Sequence, residues 1–140
     1  QRFSQLACKS NKLKKDLVDS VAIVELVEDI LNGLSCHNNE SNSNKHDQTS
    51  IDKGQGMLLF DLCSGKGITT IMLALRFCQS TVVGVDVRPP NPNELHLRDG
   101  VLHNLTRMTG DIYDDELIRN VIVNQTPKGG SCIILGTHLC

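Results

Sequence analysis

The chain has 140 residues, with 14 Lys and Arg against 16 Asp and Glu, a formal net charge of −2 and 39% apolar side chains. Such a near-neutral balance leaves no electrostatic footprint for a nucleic-acid backbone or a membrane surface. No apolar run approaches the roughly eighteen residues of a spanning helix, and the N-terminus lacks the apolar core of a signal peptide. The expectation is an intracellular, cytoplasmic chain with no membrane partner. It begins with Gln1 rather than Met, so it is also expected to be a piece of a longer product.

From Leu13 to Leu34 the apolar positions Leu13, Leu17, Val21, Val24, Val27, Leu31 and Leu34 recur at intervals of three or four, which predicts one stripe along a helix. Residues 1–34 are therefore expected to form an N-terminal helical segment. Residues 35–56 carry almost no apolar side chains and are crowded with Asn, Ser, Asp and Lys. They cannot offset the entropy of ordering and are expected to be a flexible polar linker. The six cysteines form no Cys-x-x-Cys knuckle, and with Cys63 in a turn, Cys78 on a helix and Cys132 in a strand they read as reduced thiols. Cys8, Cys36 and His37 offer three zinc-type ligands at a spacing that fits no familiar finger. No metal is expected.

Residues 57–86 carry the strongest pattern. Met57-Leu58-Leu59-Phe60 is a short apolar run closed by Asp61, followed by a turn through Cys63-Ser64-Gly65-Lys66-Gly67 and apolar helical spacing from Ile68 to Cys78. Thr81 to Val85 is a β-branched run of the kind a buried parallel strand needs, and it delivers Asp86 to its C-terminal end. Parallel strands place ligands beyond their carboxyl ends, where a glycine turn lets backbone approach closely. Asp86 lies nineteen residues after Gly67, about the interval at which a carboxylate reaches ribose hydroxyls. These features point to an adenosine-type ligand. A P-loop would want Gly at Phe60 and Ser or Thr at Gly67, and is rejected. A dinucleotide fingerprint would want a third glycine where Thr70 stands.

The acid-x-x-x-Gly-x-Gly pattern that remains, Asp61-Leu62-Cys63-Ser64-Gly65-Lys66-Gly67, resembles motif I of the class I S-adenosyl-L-methionine (SAM) dependent methyltransferases. Cys63 stands where that motif most often has glycine, a change tolerable if the residue keeps φ negative. The resemblance implies an α/β, Rossmann-like sheet of order 3-2-1-4 preceded by a helix that covers the ligand cleft. It also implies a cofactor site made of Asp61, Cys63, Ser64, Gly65, Lys66, Gly67, Asp86 and Val87. In that site the turn lies under the methionine moiety, Asp61 near its amino group and Asp86 on the ribose.

After Asp86, Pro89, Pro90 and Pro92 preclude a helix and set an extended loop, with a weak helical signal from Pro92 to Arg98. Leu105 to Thr109 is expected to be a third strand, ending in Gly110-Asp111-Ile112. By the same resemblance Asp111 bonds the adenine amino group and Ile112 covers the ring. The competing reading is that Asp111 starts the next helix, for which Asp114 is the better cap. That helix runs to about Asn124 with Leu117, Ile118, Val121 and Ile122 on one face, and Ser131 to Leu135 forms a fourth strand.

The last residues, His138-Leu139-Cys140, resemble the end of the fourth strand in a methyltransferase subset that includes tRNA ribose 2′-O-methyltransferases. This makes His138 the candidate for acid/base or acceptor-positioning work and RNA the candidate acceptor. A complete class I domain has seven strands, so residues 57–140 are expected to be a partial SAM-binding domain, truncated after its fourth strand. Two other classes stay open, a non-catalytic SAM-fold binding module and an NAD-linked oxidoreductase. The expectation that unites the site is geometric: Asp61, Asp86 and Asp111 converge with the glycine turn on one rim.

Overall fold

The computed structural model describes residues 2–37, 55–90 and 102–136, and within the first helix it describes the side chains of residues 11–33. The elements in chain order are α1 (Arg2–His37), β1 (Met57–Leu62), α2 (Ile68–Arg76), β2 (Thr81–Asp86), β3 (Leu105–Thr109), α3 (Asp115–Gln125) and β4 (Ser131–Gly136). The strands form one sheet of order β3-β2-β1-β4, and every neighbouring pair is parallel. This is the Rossmann-like α/β arrangement expected from the sequence. Of the linker expected at 35–56, residues 35–37 belong to α1 and residues 38–54 lie outside the described residues, as do the helical signal at 92–98 and the residues His138 and Cys140.

The two central strands, β1 and β2, are buried on both faces, because their residues alternate between two separate cores. Met57, Leu59 and Val82 point to one side, where Leu73, Ala74 and Phe77 of α2 and Val24, Val27 and Leu31 of α1 close over them. Leu58, Phe60, Val83 and Val85 point to the other and meet Val121 of α3, with Leu117, Ile118 and Ile122 alongside. Two-sided burial accounts for the continuous apolar runs of β1 and β2. At Gly84 the layers come close: a Cβ there would lie 2.9 Å from the Thr70 methyl. Thr70, in the place of a third fingerprint glycine, therefore packs its side chain against bare β2 backbone.

The N-terminal helix runs from Arg2 to His37, three residues beyond the expected 1–34 segment, and docks along a different line. Its buried side chains are Ser20, Val24, Val27 and Leu31, whereas Leu13, Leu17 and Val21 are 42–47% exposed. Rotation about the helix axis explains this: Lys12, Asp16 and Ser20 face the body of the domain, so Leu13, Leu17 and Val21, each one position further on, are turned aside by about 100°. Among the described residues no helix is long and apolar enough to cross a membrane.

The revised docking line has a direct test. Leu31→Ala, which deletes a side chain only 6% exposed, is expected to cost about 2–5 kcal/mol in urea unfolding. Leu17→Ala is expected to stay within about 0.5 kcal/mol, and equal losses at the two positions would refute the docking line.

Candidate functional site

Parallel strands bring the carboxyl ends of β1 and β2 to the same edge, and the chain leaving β1 turns directly in front of β2. The Ser64 N–H donates to the Val85 carbonyl at 2.9 Å, and the Gly67 N–H donates to the Ser64 carbonyl at 2.7 Å. Three turn residues adopt left-handed backbone, Cys63 (φ 59°), Gly65 (φ 55°) and Gly67 (φ 75°). Cys63 thus departs from the expected negative φ. The turn reverses within too few residues to avoid it, and the thiol-bearing side chain stands where glycine would be unstrained.

Asp86 closes the turn from the other side. Its Oδ2 accepts from the Gly65 N–H at 2.8 Å, and its Oδ1 accepts from the Arg88 N–H at 2.9 Å and from Arg88 Nε at 3.3 Å. Burial works to raise the Asp86 pKa, but the N–H donors of Arg88 and Gly65, with the Arg88 guanidinium behind them, outweigh it and leave the group below its ordinary value of 3.8. The carboxylate, only 7% exposed, is held ionised by backbone that it in turn holds in place.

Arg107, at the middle of β3, supports the turn from beneath. Its Nη2 donates to the Gly65 carbonyl at 2.6 Å and its Nη1 to the Lys66 carbonyl at 3.4 Å. Gly67 also leaves room for Arg107: a Cβ there would lie 2.9 Å from Arg107 Cζ, and the guanidinium would have to shift.

In front of the turn lies a cavity of about 570 Å³, bounded by Ser64, Gly65 and Lys66 of the turn, Asp86 and Arg88 of the β2 end, and α1. Lys12, Asp16 and Ser20 form the α1 wall. Ser20 Oγ donates to the Asp16 carbonyl at 2.7 Å, so its 2.8 Å contact with Thr69 Oγ1 is one in which it accepts. Lys66 Nζ pairs with Asp16 at 3.4 Å, its side chain 59% exposed. A pair so exposed contributes about 0–1 kcal/mol, and the apolar core rather than this bridge holds the wall.

Of the residues singled out in the sequence, Cys63, Ser64, Gly65, Lys66, Asp86 and Val87 all line this cavity. Asp61 does not. It is fully buried under the turn, where the Thr70 hydroxyl donates to its Oδ2 at 2.7 Å. Gly67 is buried against Arg107. Asp111 and Ile112 stand beyond the end of β3 but outside the cavity wall, with Asp111 exposed and its Oδ1 accepting from the Tyr113 N–H at 3.0 Å. Asp114 caps α3, accepting from the Glu116 and Leu117 N–H groups. The three acids thus share the carboxyl edge of the sheet, but only Asp86 faces the cavity: a hydroxyl recruits Asp61 inward, and a local side-chain turn engages Asp111.

Sequence reasoning missed Arg88, Arg107, Lys12, Asp16 and Ser20. Arg107 did leave a signal, as a lone cation inside a short strand that is otherwise apolar or Thr. Cys63, Cys78 and Cys132 are free thiols, and burial pushes the Cys132 thiol further up, which keeps it protonated and unreactive. Among the described residues no cluster of three His, Cys, Asp or Glu side chains forms a metal site.

Two outcomes test this geometry. Because Asp86 is depressed on folding, its stabilisation is complete above the unfolded value near 3.8 and is lost as pH falls through the lower folded value. Urea midpoints are therefore expected to drop in that acid window, and Asp86→Asn should shrink the drop. Gly67→Ala is expected to cost about 1–2 kcal/mol for the left-handed backbone alone, with a further loss from displacing Arg107. Unchanged unfolding in that variant would show that the turn is not built this way. In comparisons with family models, with curated proteins and with solved structures, the chain has no significant match.

Proposed function

We propose that the cavity binds S-adenosyl-L-methionine and that the chain is the cofactor-binding part of a SAM-dependent methyltransferase, with RNA as the candidate acceptor. The observation that carries this reading is the junction of Asp86 with Gly65. A carboxylate at the end of β2 stands ionised in the wall of a pocket whose neighbouring wall is a bare-backbone turn. That combination suits a nucleoside, since ribose hydroxyls donate to the carboxylate and the turn admits the rest of the ligand at close range. The volume of about 570 Å³ lies inside the range of small-molecule sites, roughly 300–1,000 Å³.

When bound, SAM supplies an electrophilic methyl group on a sulfonium. What this chain contributes is placement. Asp86 orients the ribose, and the turn from Ser64 to Lys66 carries the methionine end, its backbone kept in shape by Arg107. The α1 wall excludes water from one side. Asp61, braced by Thr70, supports the turn from below, and the Asp111 carboxylate, whose Oδ1 takes the Tyr113 N–H, keeps acceptor capacity for an adenine amino group. His138 is the candidate acceptor-side base. A dinucleotide reading is disfavoured by Thr70, whose side chain fills the contact with Gly84 that a glycine helix start would leave for tighter packing.

Calorimetric titration with S-adenosyl-homocysteine, the demethylated product, tests the proposal. One-to-one binding is expected, and Asp86→Ala is expected to weaken it at least tenfold, about 1.4 kcal/mol. Absence of binding, or equal affinity in the variant, would overturn it. Binding with no methyl transfer to any RNA or protein pool would reduce the reading to a non-catalytic binding module.

A further inference from the structure

The carboxylate assigned to the ribose is already engaged. A carboxylate offers about four lone-pair sites, and Asp86 uses three of them: one for the Gly65 N–H, one for the Arg88 N–H and one for Arg88 Nε. A ribose 2′,3′-diol brings two hydroxyl donors, which is one more than the free capacity. One of the three resident donors must yield.

The three are not equal. The two N–H groups belong to backbone: the first is part of the turn itself, and the second is fixed by Arg88 preceding Pro89, which restricts it to extended conformations. Losing either would unmake the local fold. The third is a side-chain contact at 3.3 Å, the longest of the set, made by a side chain 76% exposed to a partner only 9% exposed. An exposed arginine pays little to leave, since water receives its guanidinium. Arg88 also overhangs the cavity, with its Nη2 4.0 Å from where a Gly65 Cβ would stand.

We propose that Arg88 is a displaceable latch on Asp86 that competes with the ribose diol, and that it sets how strongly the site distinguishes a ribonucleoside from a 2′-deoxynucleoside. The inference rests on the nucleoside reading of the cavity. With one hydroxyl the ligand fills the free lone pair and leaves Arg88 in place. With two it must evict Nε. The latch therefore taxes adenosine and spares 2′-deoxyadenosine. It also weakens in salt, which screens the ion pair, although neither probe carries a charge.

The experiment measures affinities of adenosine, 2′-deoxyadenosine and S-adenosyl-homocysteine for the wild-type chain, Arg88→Ala and Arg88→Gln, at low and high NaCl. Both variants keep the backbone N–H, and their thermal midpoints check that they fold. Arg88→Ala is expected to bind adenosine two- to fivefold more tightly and 2′-deoxyadenosine unchanged. In the wild type, adenosine affinity is expected to rise with salt while that of the variant stays flat. If S-adenosyl-homocysteine and adenosine bind but Arg88→Ala weakens adenosine, or shifts both nucleosides equally, the latch is refuted and the cofactor reading stands. If no nucleoside binds the wild type or either folded variant, both fall together.

Discussion

A single carboxylate organises the carboxyl edge of this sheet. Asp86 ends β2, and by accepting the Gly65 N–H it ties the turn after β1 to the neighbouring strand, while the Arg88 N–H ties the chain that leaves β2 to the same group. Charge-assisted bonds to backbone donors are stronger than neutral ones, and this group is nearly buried, so the turn has a fixed partner at Gly65, two residues after the strained Cys63. Arg107 acts from the opposite side, drawing the carbonyls of Gly65 and Lys66 toward β3. The turn is held between an anion that takes an N–H and a cation that gives to carbonyls, and its shape follows from that opposition.

The packing beneath makes this arrangement possible. Thr70 performs two tasks in α2: its methyl seats the helix on the bare backbone of Gly84, and its hydroxyl donates to Asp61. A buried acid is tolerable only when hydrogen-bonded, so the polar residue at the end of β1 and the polar residue one turn into α2 belong to one unit. α1 then packs beside α2 through Val24, Val27 and Leu31, and this docking places Ser20, Asp16 and Lys12 across from the turn. The cavity is thus a product of the apolar core: shift α1 along its axis and the site loses a wall.

Nearly every element was legible in the sequence, because buried parallel strands and amphipathic helices write their environment into apolar periodicity, whereas the strand order came from the resemblance carried by Asp61 to Gly67 and not from periodicity. Asp86 was readable for a related reason, since an acid at the end of a β-branched run has few purposes in a core. The docking line of α1 was not, because its N-terminal half faces the domain through the polar Lys12, Asp16 and Ser20 rather than through Leu13, Leu17 and Val21, and a polar facing line leaves no apolar signal. Nor could spacing show that Asp61 turns inward and Asp111 engages its own chain, since side-chain direction depends on Thr70 and on the Tyr113 N–H rather than on position along a strand. The positive φ of Cys63 belongs to the same class, a demand of turn geometry that residue identity opposed. Arg107 acts through tertiary contacts with the carbonyls of Gly65 and Lys66, and Arg88 through a local bond to Asp86 that depends on the direction its side chain takes.

The account therefore makes the Asp86–Gly65 junction both the keystone of the turn and the floor of a nucleoside site. The most direct test is a map of backbone amide resonances in the labelled chain as S-adenosyl-homocysteine is added. The account predicts saturable shifts at Ser64, Gly65, Lys66, Val87 and Arg88, with α3 resonances from Asp115 to Gln125 unmoved. Shifts confined to other regions, or none at these five amides at saturating ligand, would contradict it.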